Sequence, residues 1–178
     1  METTDTVPQN PRALAAMSPA LDHSIGIVVC IPCFRRPQHL RRTLESLVQQ
    51  RTGRRFAVVM VENDASRSES VPVASEFLAA GNFPGVCVVE PRQGNCHAIN
   101  AAFETALATF PDATCFLMID DDEIASEDWL ERMVSAAETM VPISSAGRCC
   151  RNSTTSESAA CAAIRRSRLP TTSRVRCR

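Results

Sequence analysis

Lysine is absent from the 178 residues, so all 19 strongly basic side chains are arginine. A bias that complete points to a GC-rich gene more than to a demand for guanidinium chemistry. Long apolar runs are missing too: none approaches the ~20 residues that a membrane-spanning helix needs. The first 24 residues are polar, carry Pro8, Pro11 and Pro19, and lack the basic-then-apolar order of a signal peptide. Nine cysteines are present, yet no pair of CxxC motifs and no Cys/His set has zinc spacing. Neither GxxxxGK(S/T) nor GxGxxG occurs, which removes the phosphate-binding loops of P-loop and dinucleotide folds. These absences leave a cytoplasmic chain as the expectation, with any association at the inner face of the membrane peripheral and through partners.

What is present fits one domain with an ordinary core, since 44% of the residues are hydrophobic. The net charge of −1 hides a split. Residues 1–140 carry 11 arginines against 19 acidic residues, a net of −8, whereas residues 141–178 carry 8 arginines against Glu157 alone, a net of +7. The folded part is therefore acidic, which argues against a nucleic-acid partner.

Apolar runs and helical spacing alternate along the middle of the chain. Strands are expected over 25–31, 56–61, 86–89 and 115–119, the first ended by Pro32. Helices are expected over 37–50, opened by Pro37, then over 70–80, 95–110 and 126–140. Four such alternations with crossover helices predict an α/β fold, a mostly parallel sheet covered on both faces. Polar clusters then fall on one strand-tip edge: 32–36, 62–64 and 120–122.

The most informative cluster is Asp120, Asp121 and Asp122, which ends the apolar run from Cys115 to Ile119. Burying an unpaired carboxylate costs several kcal/mol, so the triplet belongs at the solvent-facing strand tip. In open α/β sheets that edge is where ligands bind. Hard oxygen donors there suit Mg²⁺ or Mn²⁺, and through it a diphosphate. The plainer alternative is an acidic strand-to-helix turn with Ser126 as the helix cap. Cys30-Ile31-Pro32-Cys33 imitates a thiol–disulfide CxxC. Arg35, Arg36, Arg41 and Arg42 make a basic patch near the first strand tip, able to attract phosphate or anionic lipid or simply to be solvated.

Three segments in order carry a family resemblance: Val28-Val29-Cys30-Ile31-Pro32-Cys33-Phe34-Arg35-Arg36-Pro37, Val61-Glu62-Asn63-Asp64-Ala65, and Ile119-Asp120-Asp121-Asp122-Glu123 with Asp128-Trp129-Leu130. Over about residues 25–140 the chain resembles family 2 glycosyltransferases of the GT-A fold, and within them bacterial exopolysaccharide enzymes of the succinoglycan glucosyltransferase type. The resemblance implies an inverting, metal-dependent transfer from a nucleotide-sugar donor to a saccharide or lipid-linked saccharide acceptor. It implies that Pro32, Cys33, Phe34 and Arg36 shape the nucleotide pocket, that Glu62 and Asp64 hold base and ribose, and that Asn100, Asp120 and Asp121 lie at the nucleotide. Asp120 and Asp122 match a DxD motif, as ligands of the divalent cation, Mg²⁺ or Mn²⁺.

Three departures from the family pattern stand out. Glu62 replaces the usual Asp, and Ile99 precedes Asn100 where an Arg is usual. The downstream carboxylate expected as catalytic base has no counterpart after Glu138 except Glu157. The expected organisation is a flexible leader over 1–24, a nucleotide-sugar-binding half-domain over 25–140, and an irregular tail over 141–178 from which no packed element can be built. That tail reads as a frameshift product. Shifted by one base, Val141 to Asn152 can encode A-D-I-V-G-G-P-V-L-P-E-F, an apolar strand with a Gly-Gly-Pro turn; this frame intact in the gene of independent isolates would exclude it.

Overall fold

The computed structural model describes residues 12–139 and 164–165. Its elements run β1 (Ala13–Met17), β2 (Ile27–Cys33), α1 (Pro37–Val48), β3 (Ala57–Glu62), α2 (Val71–Ala79), β4 (Gly85–Val89), α3 (Asn95–Thr109), β5 (Cys115–Met118), α4 (Trp129–Thr139) and β6 (Ile164–Arg165). They form one six-stranded sheet of order β1-β4-β3-β2-β5-β6. The four inner strands are parallel, and β1 and β6 run antiparallel at the edges.

Both faces of the inner strands are apolar because both are covered. Val29, Ile31 and Cys33 of β2 point to the face packed by Leu40, Leu44 and Leu47 of α1, Phe77 and Leu78 of α2, and Leu130 of α4. Val28 and Cys30 point to the other face, against Ala98, Ala101, Ala102 and Ala106 of α3. The i, i+4, i+7 leucines of α1 are fully or almost fully buried, each adding about 1.5–3 kcal/mol by removal from water. Alanine on α3 does different work, letting the helix approach the sheet closely.

The connections fix where a ligand can sit. From β2 the chain steps outward to β3 and β4, then returns to place β5 on the other side of β2. The strand order therefore reverses between β2 and β5, and in such sheets the crevice opens there, beyond the carboxyl ends of the strands.

Four expectations are corrected. The first strand runs through Pro32, which pairs with Val61, instead of ending before it. The expected leader holds a strand: β1 pairs with β4, and Ser18 N–H donates to the Gly85 carbonyl at 3.0 Å. The last helix starts at Trp129, not Ser126, with Trp129 N–H on the Ser126 carbonyl at 2.9 Å. Ile164–Arg165 pairs with β5, although no element was expected in that stretch. Otherwise residues 140–178, and with them the frameshift reading, lie outside the described residues, as do residues 1–11.

Candidate functional site

A cleft of about 510 Å³ opens at the switch point. Pro32, Cys33, Phe34 and Arg36 line it from the end of β2, and Asp120 and Asp121 from the turn after β5. Asn63, Gln93, Gly94, Asn95 and Ala98 close the opposite wall. Parallel strands make this convergence unavoidable, because their carboxyl ends share one edge. Hydrogen bonds confirm it: Asn63 N–H donates to the Cys33 carbonyl at 2.9 Å, and Phe34 N–H to Asp121 Oδ2 at 3.0 Å.

The three aspartates have separate surroundings. Asp121 is buried, 3% exposed, and ties the acidic turn to the end of β2 through Phe34. Burial pushes its carboxyl above the usual range, against the pull of the Phe34 N–H and Arg36. Asp120 is exposed on the cleft wall, its main-chain N–H turned to Glu123 Oε2 at 3.3 Å. Asp122 is also exposed and is paired with the Arg36 guanidinium, which lies 3.5 Å from Asp121 Oδ1 as well.

Polar side chains on the inner side of α1 and just after its end hold this turn in place. The buried Thr43 hydroxyl is 3.0 Å from the Asp121 carbonyl and 2.7 Å from that of Glu123. Ser46 Oγ accepts Ala125 N–H at 3.0 Å, and Gln50 donates to the Ser126 carbonyl at 2.7 Å while accepting Leu130 N–H at 2.8 Å. The carboxylates are therefore carried on a turn fixed from below, a condition for a precise ligand site.

The second polar station is arranged differently from expectation. Glu62 is fully buried, and its two oxygens accept the N–H groups of Asp64 and Ser70, each at 2.8 Å. It staples the 62–70 loop and does not line the cleft. Asp64 lies behind the wall, bonded by Ser66 Oγ and by Arg35 Nε, each at 2.5 Å; these hold its carboxyl down at about 2. Asn100 is half-buried on α3, outside the lining.

Asn63, part of the second resemblance segment but given no role there, shapes the wall. Its amide donates to the carbonyls of Glu90 (3.1 Å) and Arg92 (2.8 Å), and its oxygen accepts Gly94 N–H at 2.8 Å. Gly94 has φ +134°, a conformation L side chains rarely adopt, so glycine is required where α3 meets the cleft. The signal missed was Gln93-Gly94, immediately before the helix expected from residue 95.

Two alternatives lose their basis. Cys30 and Cys33 are buried on opposite faces of β2, too differently directed for a disulfide, and burial pushes both thiols up, Cys30 to about 12. The basic patch is mostly spent: Arg35 pairs with Asp64, Arg36 with Asp122, and Arg41 with Glu76. Among the described residues no helix is long and apolar enough to cross a membrane.

No three His, Cys, Asp or Glu side chains converge on one point among the described residues, which argues against an all-protein cage. Mg²⁺-type cations are usually held by one or two carboxylates plus substrate phosphates. Asp120 and Asp122, exposed hard-oxygen donors beside the cleft, fit a cation shared in that way.

No curated protein sequence gives a significant match to the chain. Among solved structures, S. aureus TarS matches with TM-score 0.53 and 15% identity, covering 64% of this chain and 20% of that one. Its 1-349 fragment in complex with UDP gives 0.54 and 15%, covering 64% and 32%. The mannosyltransferase PcManGT from Pyrobaculum calidifontis, in complex with GDP-Man and Mn²⁺, gives 0.50 and 20%, covering 65% and 33%. At these identities the likeness shows the fold, that of GT-A glycosyltransferases, and the chain spans a third or less of each structure's length. The sequence pattern described as glycosyl transferase family 2 matches residues 28–176, most of the chain. The chain belongs to glycosyl transferase family 2.

Proposed function

We propose that the cleft is the donor site of a metal-dependent glycosyltransferase, binding a nucleotide-sugar through its diphosphate and a divalent cation held at Asp120 and Asp122. The observation that carries this reading is the cleft at the β2/β5 switch point, where the exposed Asp120 and the buried Asp121 share the lining with the start of α3 and Asp122 stands exposed beside them. TarS with UDP and PcManGT with GDP-Man and Mn²⁺ support it by fold. When bound, the cation offsets the negative charge that grows on the departing diphosphate. This chain's residues do the rest: Asp121 and Thr43 hold the turn rigid, Asn63 holds the opposite wall, and Phe34, 37% exposed with the Arg35 guanidinium over its ring, lines the cleft where a base would lie. An inverting transfer to a saccharide or lipid-linked saccharide acceptor, in bacterial polysaccharide synthesis, completes the proposal.

Calorimetric titration of UDP and of GDP into the full chain, with Mn²⁺ and then with EDTA, tests it. Binding of one of them with Mn²⁺, lost with EDTA and lost in Asp122→Ala, is the expected outcome. Asp122 is exposed, so that variant keeps the fold. Unchanged binding in Asp122→Ala removes the metal assignment. No binding by the folded chain removes the donor site and leaves a remnant of the family.

A further inference from the structure

Arg36 stands where the expected cation should act. It lies three residues past the end of β2 and caps α1 with its main chain, its carbonyl accepting the His39 and Leu40 N–H groups, so its side chain starts from a fixed point. The guanidinium lines the cleft, pairs with Asp122 and lies 3.5 Å from Asp121 Oδ1. Asp121 cannot follow it outward, because its other oxygen is held by Phe34 N–H. Three successive carboxylates repel one another unless a positive charge lies among them, and here that charge belongs to Arg36.

We propose that Arg36 is a positioning residue that holds the cation's place in the nucleotide-free chain and gives it up only when metal and diphosphate arrive together. This rests on the donor-site reading above. The pair is half-exposed on both sides, Arg36 45% and Asp122 43%, and surface ion pairs of this kind exchange readily. A metal ion arriving alone would have to push the guanidinium off Asp122 with no new anion to receive it. A metal with a diphosphate brings that anion, and the planar fork of arginine suits phosphate oxygens from the position it already has on the cleft wall. Metal and nucleotide affinities are thereby coupled, and the coupling is reciprocal.

The experiment is Mn²⁺ titration without nucleotide, read by the electron spin resonance of free Mn²⁺, on the full wild-type chain, Arg36→Gln, Arg36→Lys and Arg42→Gln. Arg42→Gln makes the same change in net charge at an exposed position of α1. Arg36→Gln should bind Mn²⁺ alone more tightly than wild type, by on the order of fivefold or more, the usual size of such couplings. Arg36→Lys keeps the charge and should stay near wild type, as should Arg42→Gln. Equal affinity in Arg36→Gln and wild type overturns the proposal, as does equal tightening by Arg42→Gln or no Mn²⁺ binding by any of the four. Far-UV circular dichroism checks folding, and Arg36→Ala, which also removes the charge and should tighten Mn²⁺ binding in the same way, replaces the glutamine variant if that one is unstable. A wild-type chain that binds no nucleotide in the separate calorimetry refutes the donor site, while tightening in Arg36→Gln still establishes the place-holding.

Discussion

At the scale of single residues, the side chains that matter most to the cleft are those that hold its walls. Asn63 satisfies two carbonyls and one N–H across the mouth of β3, β4 and α3. Asn63→Ala strips those partners from groups in or near the interior and should cost about 1–3 kcal/mol in urea unfolding, with weaker Mn²⁺-dependent nucleotide binding. Glu90, buried between Arg12 and Arg92, contributes to the acid response in the same direction as Asp64. Burial pushes its carboxyl up, but hydrogen bonds from Arg92 and Arg12 outweigh this and bring it from 4.5 to about 2. The unfolded chain therefore takes up a proton that the folded chain refuses. Stability from this group is complete above about pH 4.5 and is lost as pH falls toward 2. Asp121 has the opposite sign: its raised carboxyl favours the fold at low pH, and that contribution is lost as pH rises through its folded value. Glu90→Gln should flatten the decline in unfolding free energy between pH 4.5 and 2, and a slope equal to wild type would exclude this role.

Among elements, those with strong periodicity could be read from the chain and those fixed by their neighbours could not. Leu40, Leu44 and Leu47 announce α1, and the valine-rich runs announce β2 and β3. Thr43, Ser46 and Gln50 look like the neutral side of the same helix, yet they point at carbonyls and N–H groups of the acidic turn. Nothing local marks them, because their partners lie almost 80 residues further on. β1 is similarly silent: Ala-Leu-Ala-Ala-Met is poor in branched and aromatic residues, and its pairing with β4 makes it a strand. Gly85, at the start of β4, lies close against Val58 of β3. A Cβ there would meet the Val58 carbonyl oxygen at 2.3 Å, main chain that cannot swing aside. Gly85→Ala should therefore cost about 1–3 kcal/mol, the usual penalty for overpacking, in chemical denaturation. A variant as stable as wild type would mean that β3 and β4 can separate at that point without loss.

For the whole molecule, the alternation of strands and helices was enough to put three polar stations on one sheet edge. It could not say between which strands the cleft opens, because strand order is set by how crossovers pack, and the reversal at β2/β5 is visible only in space. That reversal explains why Asp120 and Asp121 share the cleft with Phe34 and Arg36, while Glu62, one strand away, is consumed as a loop staple. The role given to Glu62 by resemblance does not match its place in the structure: the carboxylate is fully buried, tied to the 62–70 loop, and absent from the cleft lining. The central claim, a cation-bridged diphosphate at this switch point, is tested most directly by anomalous diffraction from crystals of the full chain grown with Mn²⁺ and UDP or GDP. The expected result is one Mn²⁺ in contact with a carboxylate oxygen of Asp120 or Asp122 and with the diphosphate, and Arg36 turned from Asp122 to a phosphate. A nucleotide bound elsewhere, or bound in the cleft with no metal at these carboxylates, contradicts it.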